Sequence, residues 1–277
     1  MIEIKESVNV LNNEIEPFQH EKETLHRHGN GRSYIFGFGI DRLNLDQVVS
    51  CIDEAILAKK PLHIVLVNAG KIVLARKDHE LAHIIRTAEL VGADGVPIMW
   101  ASWLLSRPLP GRVNGTDLMN RLIEMAAAKG YRIYFLGARQ PVIERAVRSL
   151  KQRHPSLQIA GFRNGYYDSP ESEREVINDI ARSQADILLI GMSSPKKEKW
   201  VRRHFHDLNV TVVHGVGGSF DILGGLTKRA PAWMQKTGLE WLYRLIQEPR
   251  RLWRRYLIGN AAYTFLVMKA LVRRMIK

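Results

Sequence analysis

The chain has 277 residues, 45% hydrophobic and 25% charged, an ordinary balance for one large folded domain with an appendage or for two small ones. Its 41 Lys and Arg against 28 Asp and Glu give a net charge of +13, which points to an anionic partner: nucleic acid, a membrane surface or a phosphorylated substrate. The single cysteine, Cys51, excludes an internal disulfide. The polar opening is not expected to act as a secretory signal, and no uninterrupted apolar run is long enough for a spanning helix.

Residues 1–32 are polar and lack periodicity, and are expected to form a loosely attached arm. From 33 to 225, short apolar runs alternate with amphipathic stretches. Strands are expected at "YIFGFGI", "LHIVLVN", "AELVGAD", "RIYFLGA", "LQIAGF", "DILLIGM" and "VTVVHGV". Helical patterns fall over 46–59, 71–86, 116–129, 140–153, 171–183 and 195–206. This alternation predicts an α/β domain, a mostly parallel Rossmann-like sheet flanked by helices. Between its elements, "PIMWASWLLSRPLP" with Trp100, Trp103 and Leu104 reads equally as core, as a partner-facing helix or as a membrane-facing surface.

The alternation stops near Leu226, and 226–277 is expected to be a basic amphipathic helical appendage divided at Pro249. From Arg244 onward nine Lys and Arg face one acid, Glu248, so most of the net charge sits in this tail. Five trailing arginines are interleaved with Trp241, Tyr243 and Trp253, which suits a surface both negative and apolar.

Several strands end in glycine or small polar residues: "LVNAG", "GADG", "LGAR", "IGMSSP" and "HGVGGSFD". Ligands of open α/β sheets bind at the carboxyl ends of the strands, where glycines let backbone N–H groups approach phosphate. Neither a P-loop nor a dinucleotide fingerprint is present. Asp94 follows a strand and reads either as a general base or as a turn or cap residue. Arg112 reads as a phosphate clamp or a solvated cation, and Thr116, or Asp117 after it, as the cap of the next helix. Lys196 and Lys197 start a helix, where cations oppose its dipole, and read either as partners of a nearby anion or as a solvated basic turn. Gly217 lies in a glycine-rich turn before Asp221, an acid suited to ribose hydroxyls, and Tyr166 and Tyr167 read by default as a surface aromatic pair, or else as a stacking platform for a base. The histidines lack metal-site partners, and there is no Asp-x-Asp pair, so arginines rather than a metal are expected to stabilise any departing diphosphate.

In order along the chain, "VNAGKI", "GADG", "GRVNGTDLM", "YFLGA", "GYY", "GMSSPKKEKW", "GVGGSFDILGG", "KRAPAWMQ" and "GLEWLYRLIQEPRRLWRR" resemble the WecG/TagA/CpsF glycosyltransferase family. The resemblance implies an inverting, metal-independent transfer from a UDP-sugar, with no cofactor, to a sugar on a polyprenyl diphosphate. Asp94 would be the base, with Asn68 beside it and Arg112 on donor phosphate or acceptor. Leu136, Gly137, Tyr167 and Asp221 would hold the uridine, and Arg244, Arg251 and Arg254 would neutralise the diphosphate. Lys197 replaces a common Gln, a catalytic-site cation that could grip a phosphate or an acidic sugar, and Leu66 replaces a common Thr. The Lys form resembles members that transfer β-glucose, the alternatives being N-acetylmannosamine or its uronic acid, or a non-catalytic membrane scaffold. The resemblance further implies a peripheral protein of the inner, cytoplasmic face of the plasma membrane, docked by its tail on anionic lipid and able to self-associate. A nucleic-acid partner is not expected, because no module that reads RNA or DNA is present.

Overall fold

The computed structural model describes residues 31–276. Of the polar arm expected over 1–32, all but the last two residues lie outside them. The described chain opens with an antiparallel hairpin, β1 (Arg32–Ile35) and β2 (Phe38–Asp41). The run "YIFGFGI", expected to be one strand, is therefore two, because Phe36 and Gly37 both take positive φ (52° and 81°) and turn the chain back. Arg32 Nε donates to Asp41 Oδ1 at 2.8 Å, and Asp41 Oδ2 accepts from the Val91 amide at 2.7 Å, which ties the hairpin to the edge of the main sheet.

The main elements follow as α1 (Leu45–Leu57), β3 (Leu62–Val67), α2 (Ala69–Ala75), α3 (His79–Thr87), β4 (Leu90–Ala93), α4 (Val96–Leu104), α5 (Gly115–Lys129), β5 (Arg132–Gly137), α6 (Gln140–Arg153), β6 (Gln158–Arg163), α7 (Pro170–Arg182), β7 (Ile187–Gly191), α8 (Lys196–His204), β8 (Val212–Gly215) and α9 (Ser219–Leu223). Six strands pair in the order β4-β3-β8-β7-β5-β6, all parallel. Alternate residues feed opposite faces, as the pleat dictates. Ile64, Leu66, Ile133, Phe135, Ile187 and Leu189 pack under α1, α5 and α6. Val65 and Val67 pack under α2, α3 and α4, and Tyr134, Leu136, Leu188 and Ile190 under α7 and α8.

The amphipathic stretch expected as one helix over 71–86 is α2 and α3, because the Asp78 side chain accepts from the Leu81 amide at 3.0 Å and starts a new helix. Beyond 226 come α10 (Ala232–Lys236), α11 (Glu240–Gln247) and α12 (Pro249–Ile276), the last two divided next to Pro249. The long α12 packs along α2. Its Tyr263 is buried edge-to-face on Phe36, and the hydroxyl donates to the Pro97 carbonyl of α4 at 3.3 Å.

Candidate active site at the carboxyl edge of the sheet

Two neighbouring strand ends set the centre. Val67 pairs with Ala93, so Asn68 and Asp94 leave β3 and β4 side by side, and the Asp94 amide donates to the Val67 carbonyl at 2.7 Å. Asn68 caps α2, its side chain accepting from the Lys71 amide at 3.0 Å. Asp94 caps nothing: Gly95 holds the cap position of α4, and that helix has no side-chain cap bond. The carboxylate instead accepts from Asn114 Nδ2 at 3.3 Å.

Asn114, rather than the expected Thr116 or Asp117, caps α5, because its Oδ1 takes the amides of both Thr116 (3.0 Å) and Asp117 (3.3 Å). Those bonds fix the amide orientation and leave Nδ2 facing carboxylates. The second carboxylate is Glu240, at 3.4 Å, delivered from the tail. It arrives there because Gly238, at φ 79°, lies against the start of α4; a Cβ on it would stand 2.8 Å from Val96 Cβ.

Burial raises the Asp94 pKa, and the neighbouring Glu240 charge raises it further, while Arg244, Arg112 and Lys71 pull the other way. Arg244 Nη2 lies 3.4 Å from Glu240 Oε1. Arg112 donates to the Gln235 carbonyl at 3.2 Å and stands 3.9 Å from Asp117, which also holds Arg229 at 2.6 Å. A desolvated carboxylate with a raised pKa, among cations, can accept a proton while anionic charge develops close by. Arg251 and Arg254 belong to α12, but their side chains lie outside the described residues.

The expected donor residues line the other half of the edge. Leu136 and Gly137 end β5. Gly137 sits so close to β7 that a Cβ would stand 2.6 Å from the Gly191 carbonyl oxygen, and Gly165, two residues before Tyr167, packs back on Gly137. Lys196 Nζ lies 5.4 Å from the Tyr167 ring centroid, and burial pushes the Tyr167 phenol up to about 12. Gly217 and Asp221 follow β8, Asp221 on α9. A hydrogen bond of 2.9 Å between Thr116 Oγ1 and Ser219 Oγ joins α5 to α9, and so the two halves.

Lys197 is buried between the halves. Its Nζ is 2.7 Å from Glu198 Oε1, and the same oxygen lies 2.7 Å from Lys71 Nζ. Lys71 also donates to the Leu66 carbonyl at 2.6 Å, and Ser194 Oγ donates to Glu198 Oε2 at 2.9 Å. Burial opposes the Glu198 charge, but Lys71 and Lys197 outweigh it and hold the carboxyl far below the usual range. Of the two lysines at the start of α8, only Lys197 meets Glu198, its partner there being Lys71; Lys196 lies over the Tyr167 ring instead. The Leu66 side chain faces the core and fills the space beside Gly92.

Asn114, Glu240, Lys71 and Glu198 were not singled out from sequence. Asn114 carried a signal, a capping residue type ahead of a helix, and Glu240 is an acid in a basic aromatic stretch. Among the described residues, no three His, Cys, Asp or Glu gather as metal ligands, and no helix is long and apolar enough to cross a membrane.

The sequence profile of the "Glycosyl transferase WecG/TagA/CpsF family" matches residues 33–277. Three curated relatives, each called N-acetylglucosaminyldiphosphoundecaprenol N-acetyl-beta-D-mannosaminyltransferase, are similar over most of the chain. That of Bacillus spizizenii is 35% identical over 186 residues, 67% of this chain and 70% of the relative. That of Bacillus subtilis is 32% identical over 203 residues, 73% and 77% respectively. That of Staphylococcus aureus is 32% identical over 222 residues, 79% and 86%.

Proposed function

Because this chain belongs to the WecG/TagA/CpsF glycosyltransferase family and is a hexosyltransferase, we propose that it moves N-acetylmannosamine from a UDP-sugar to an N-acetylglucosaminyl group on a polyprenyl diphosphate. The relatives' names support this sugar over the glucose expected from Lys197, and the amine behind that expectation is turned onto Glu198.

One observation carries the mechanism: Asp94 is relieved of any capping duty, desolvated, and held by an amide whose other end is locked to backbone. Asp94 takes the proton of the acceptor hydroxyl as that oxygen attacks the anomeric carbon. The new C–O bond forms as the bond to the UDP oxygen breaks, and the electron pair leaves on phosphate. A single displacement of this kind inverts the anomeric centre. Arg112 and Arg244, with Arg251 and Arg254 of the same tail, neutralise the departing diphosphate, so no metal is needed. Asn68 orients the acceptor, and Leu136, Gly137, Tyr167, Gly217 and Asp221 hold the uridine. The protein works on the inner face of the plasma membrane, with its basic tail on anionic lipid.

The test is UDP release by the full-length protein, with EDTA and a detergent-dispersed N-acetylglucosaminyl-diphosphate lipid, from each UDP-sugar separately. Acceptor-dependent release from UDP-N-acetylmannosamine is expected. Release from UDP-glucose alone restores the glucosyl reading, and release only after metal is added overturns the role given to the arginines.

A further inference from the structure

Helix α4 begins two residues after Asp94 and carries no charged side chain. Its inner face buries Ile98, Ala101 and Ser102. Its outer face leaves Trp100 60% and Trp103 75% exposed, with Leu104 beside them. Two hydrogen bonds hold α12 alongside: Tyr263 Oη donates to the Pro97 carbonyl, and Arg274 Nη1 donates to the Leu104 carbonyl at 3.1 Å. While Tyr263, Leu266 and Val267 of α12 pack inward, Ile258, Phe265, Met268, Val272 and Met275 form an exposed apolar row at helical spacing. Both helices are thus apolar on two sides, and one side of each is uncovered.

Charge selects the occupant. Residues 95–116 contain no acid, nor do residues 249–277, whereas Arg107, Lys269, Arg273 and Arg274 stand among or beside the apolar rows. A second copy seated on this surface would bring cations against cations. A bilayer with anionic headgroups offers acyl chains to the apolar rows, a headgroup layer to the tryptophans and negative charge to the cations.

We infer that α4, beside the tail already given to lipid, itself enters the headgroup layer of the bilayer, with Trp100 and Trp103 as interfacial anchors. The proposal rests on the lipid-linked acceptor named above and deepens it. Trp103 lies nine residues beyond Asp94, eight of them helical, whose seven rises span roughly 10 Å. Seating α4 in the headgroup layer therefore holds the base at the depth where the diphosphate of a polyprenyl acceptor lies. The tail arginines dock the protein, and α4 sets its height.

The experiment floats full-length protein with phosphatidylglycerol vesicles and with phosphatidylcholine vesicles. Binding to the anionic vesicles is expected, weakened about tenfold or more by Trp100→Ser with Trp103→Ser and retained by the two Phe substitutions. Turnover of a water-soluble, short-chain acceptor stays at the wild-type rate. Should the double variant lose its thermal transition, Trp103→Ser alone, at the more exposed of the two positions, makes the same test. Equal binding to both vesicle types, or wild-type binding by the serine variants, overturns the proposal. So does a lipid-free dimer that the serine substitutions dissociate, which assigns the surface to a second copy. Failure of the proposed reaction shows separately, as no turnover of dispersed acceptor by wild-type protein, and leaves the flotation result readable.

Discussion

At the scale of single residues, the proposed reaction asks Asp94, with Asn114 and Glu240 beside it, to take a proton. Replacing Asp94 by Asn keeps shape and a hydrogen-bonding atom toward Asn114 but removes the basic oxygen. Turnover is expected to fall by roughly 10²–10⁴-fold, with UDP affinity by calorimetry unchanged; loss of UDP binding as well would make Asp94 structural. The pH profile carries a finer signature. Only the ionised carboxylate accepts a proton, so activity falls as pH drops through the Asp94 pKa, which burial and Glu240 raise. Glu240→Gln removes one raising charge and is expected to move the acidic limb of the rate profile to lower pH. Arg244→Gln removes a lowering charge and is expected to move it to higher pH. Equal limbs in all three proteins would show that another group controls the rate.

Elements bring these residues together, and their legibility in sequence follows from how local their causes are. The parallel strands are near-continuous Val, Ile and Leu runs, and most of the intervening helices have one apolar face, so periodicity finds them. Helix α4 has no polar face, since one side is core and the other is exposed tryptophan, so its pattern is ambiguous. Asn68 and Asp94 are legible because a strand end is a local property. The Asn114–Glu240 contact is not, because it spans 126 residues and depends on the tail crossing α4 at Gly238. Gly238→Ala is expected to lower turnover while UDP binding persists, at a cost of about 1–3 kcal/mol in stability by urea unfolding, because it adds both a positive-φ strain and a clash with Val96. Glu198 couples α8 to α2 through two lysines on one oxygen. Glu198→Gln leaves both amines buried without that partner and is expected to cost about 3–5 kcal/mol in the same measurement.

For the whole molecule, acid is the exposed flank. His214 is fully buried, with Nε2 3.3 Å from the Gly115 carbonyl, and burial pushes its pKa down to about 4. The folded protein keeps this ring neutral where the unfolded chain would protonate it. Stability is therefore fully present above the unfolded value near 6.5 and is lost as pH falls from there toward 4, by about 2 kcal/mol at pH 5 from this histidine alone. His63, also pushed down to about 4, acts in the same direction. Urea midpoints are expected to decline between pH 7 and 5, and His214→Gln is expected to flatten that decline; an unchanged slope would show that the ring protonates without unfolding.

The crossing at Gly238 has a consequence in time as well as in space. The ribosome makes this chain from its N-terminus, so β8, the last strand of the sheet, is complete before Glu240 and Arg244 exist. A nascent chain can thus fold its sheet and present Asp94 to solvent with neither tail residue in place. The second carboxylate and the arginine reach Asn114 only after every strand of the sheet has been made, so the site acquires its charge environment later than its scaffold.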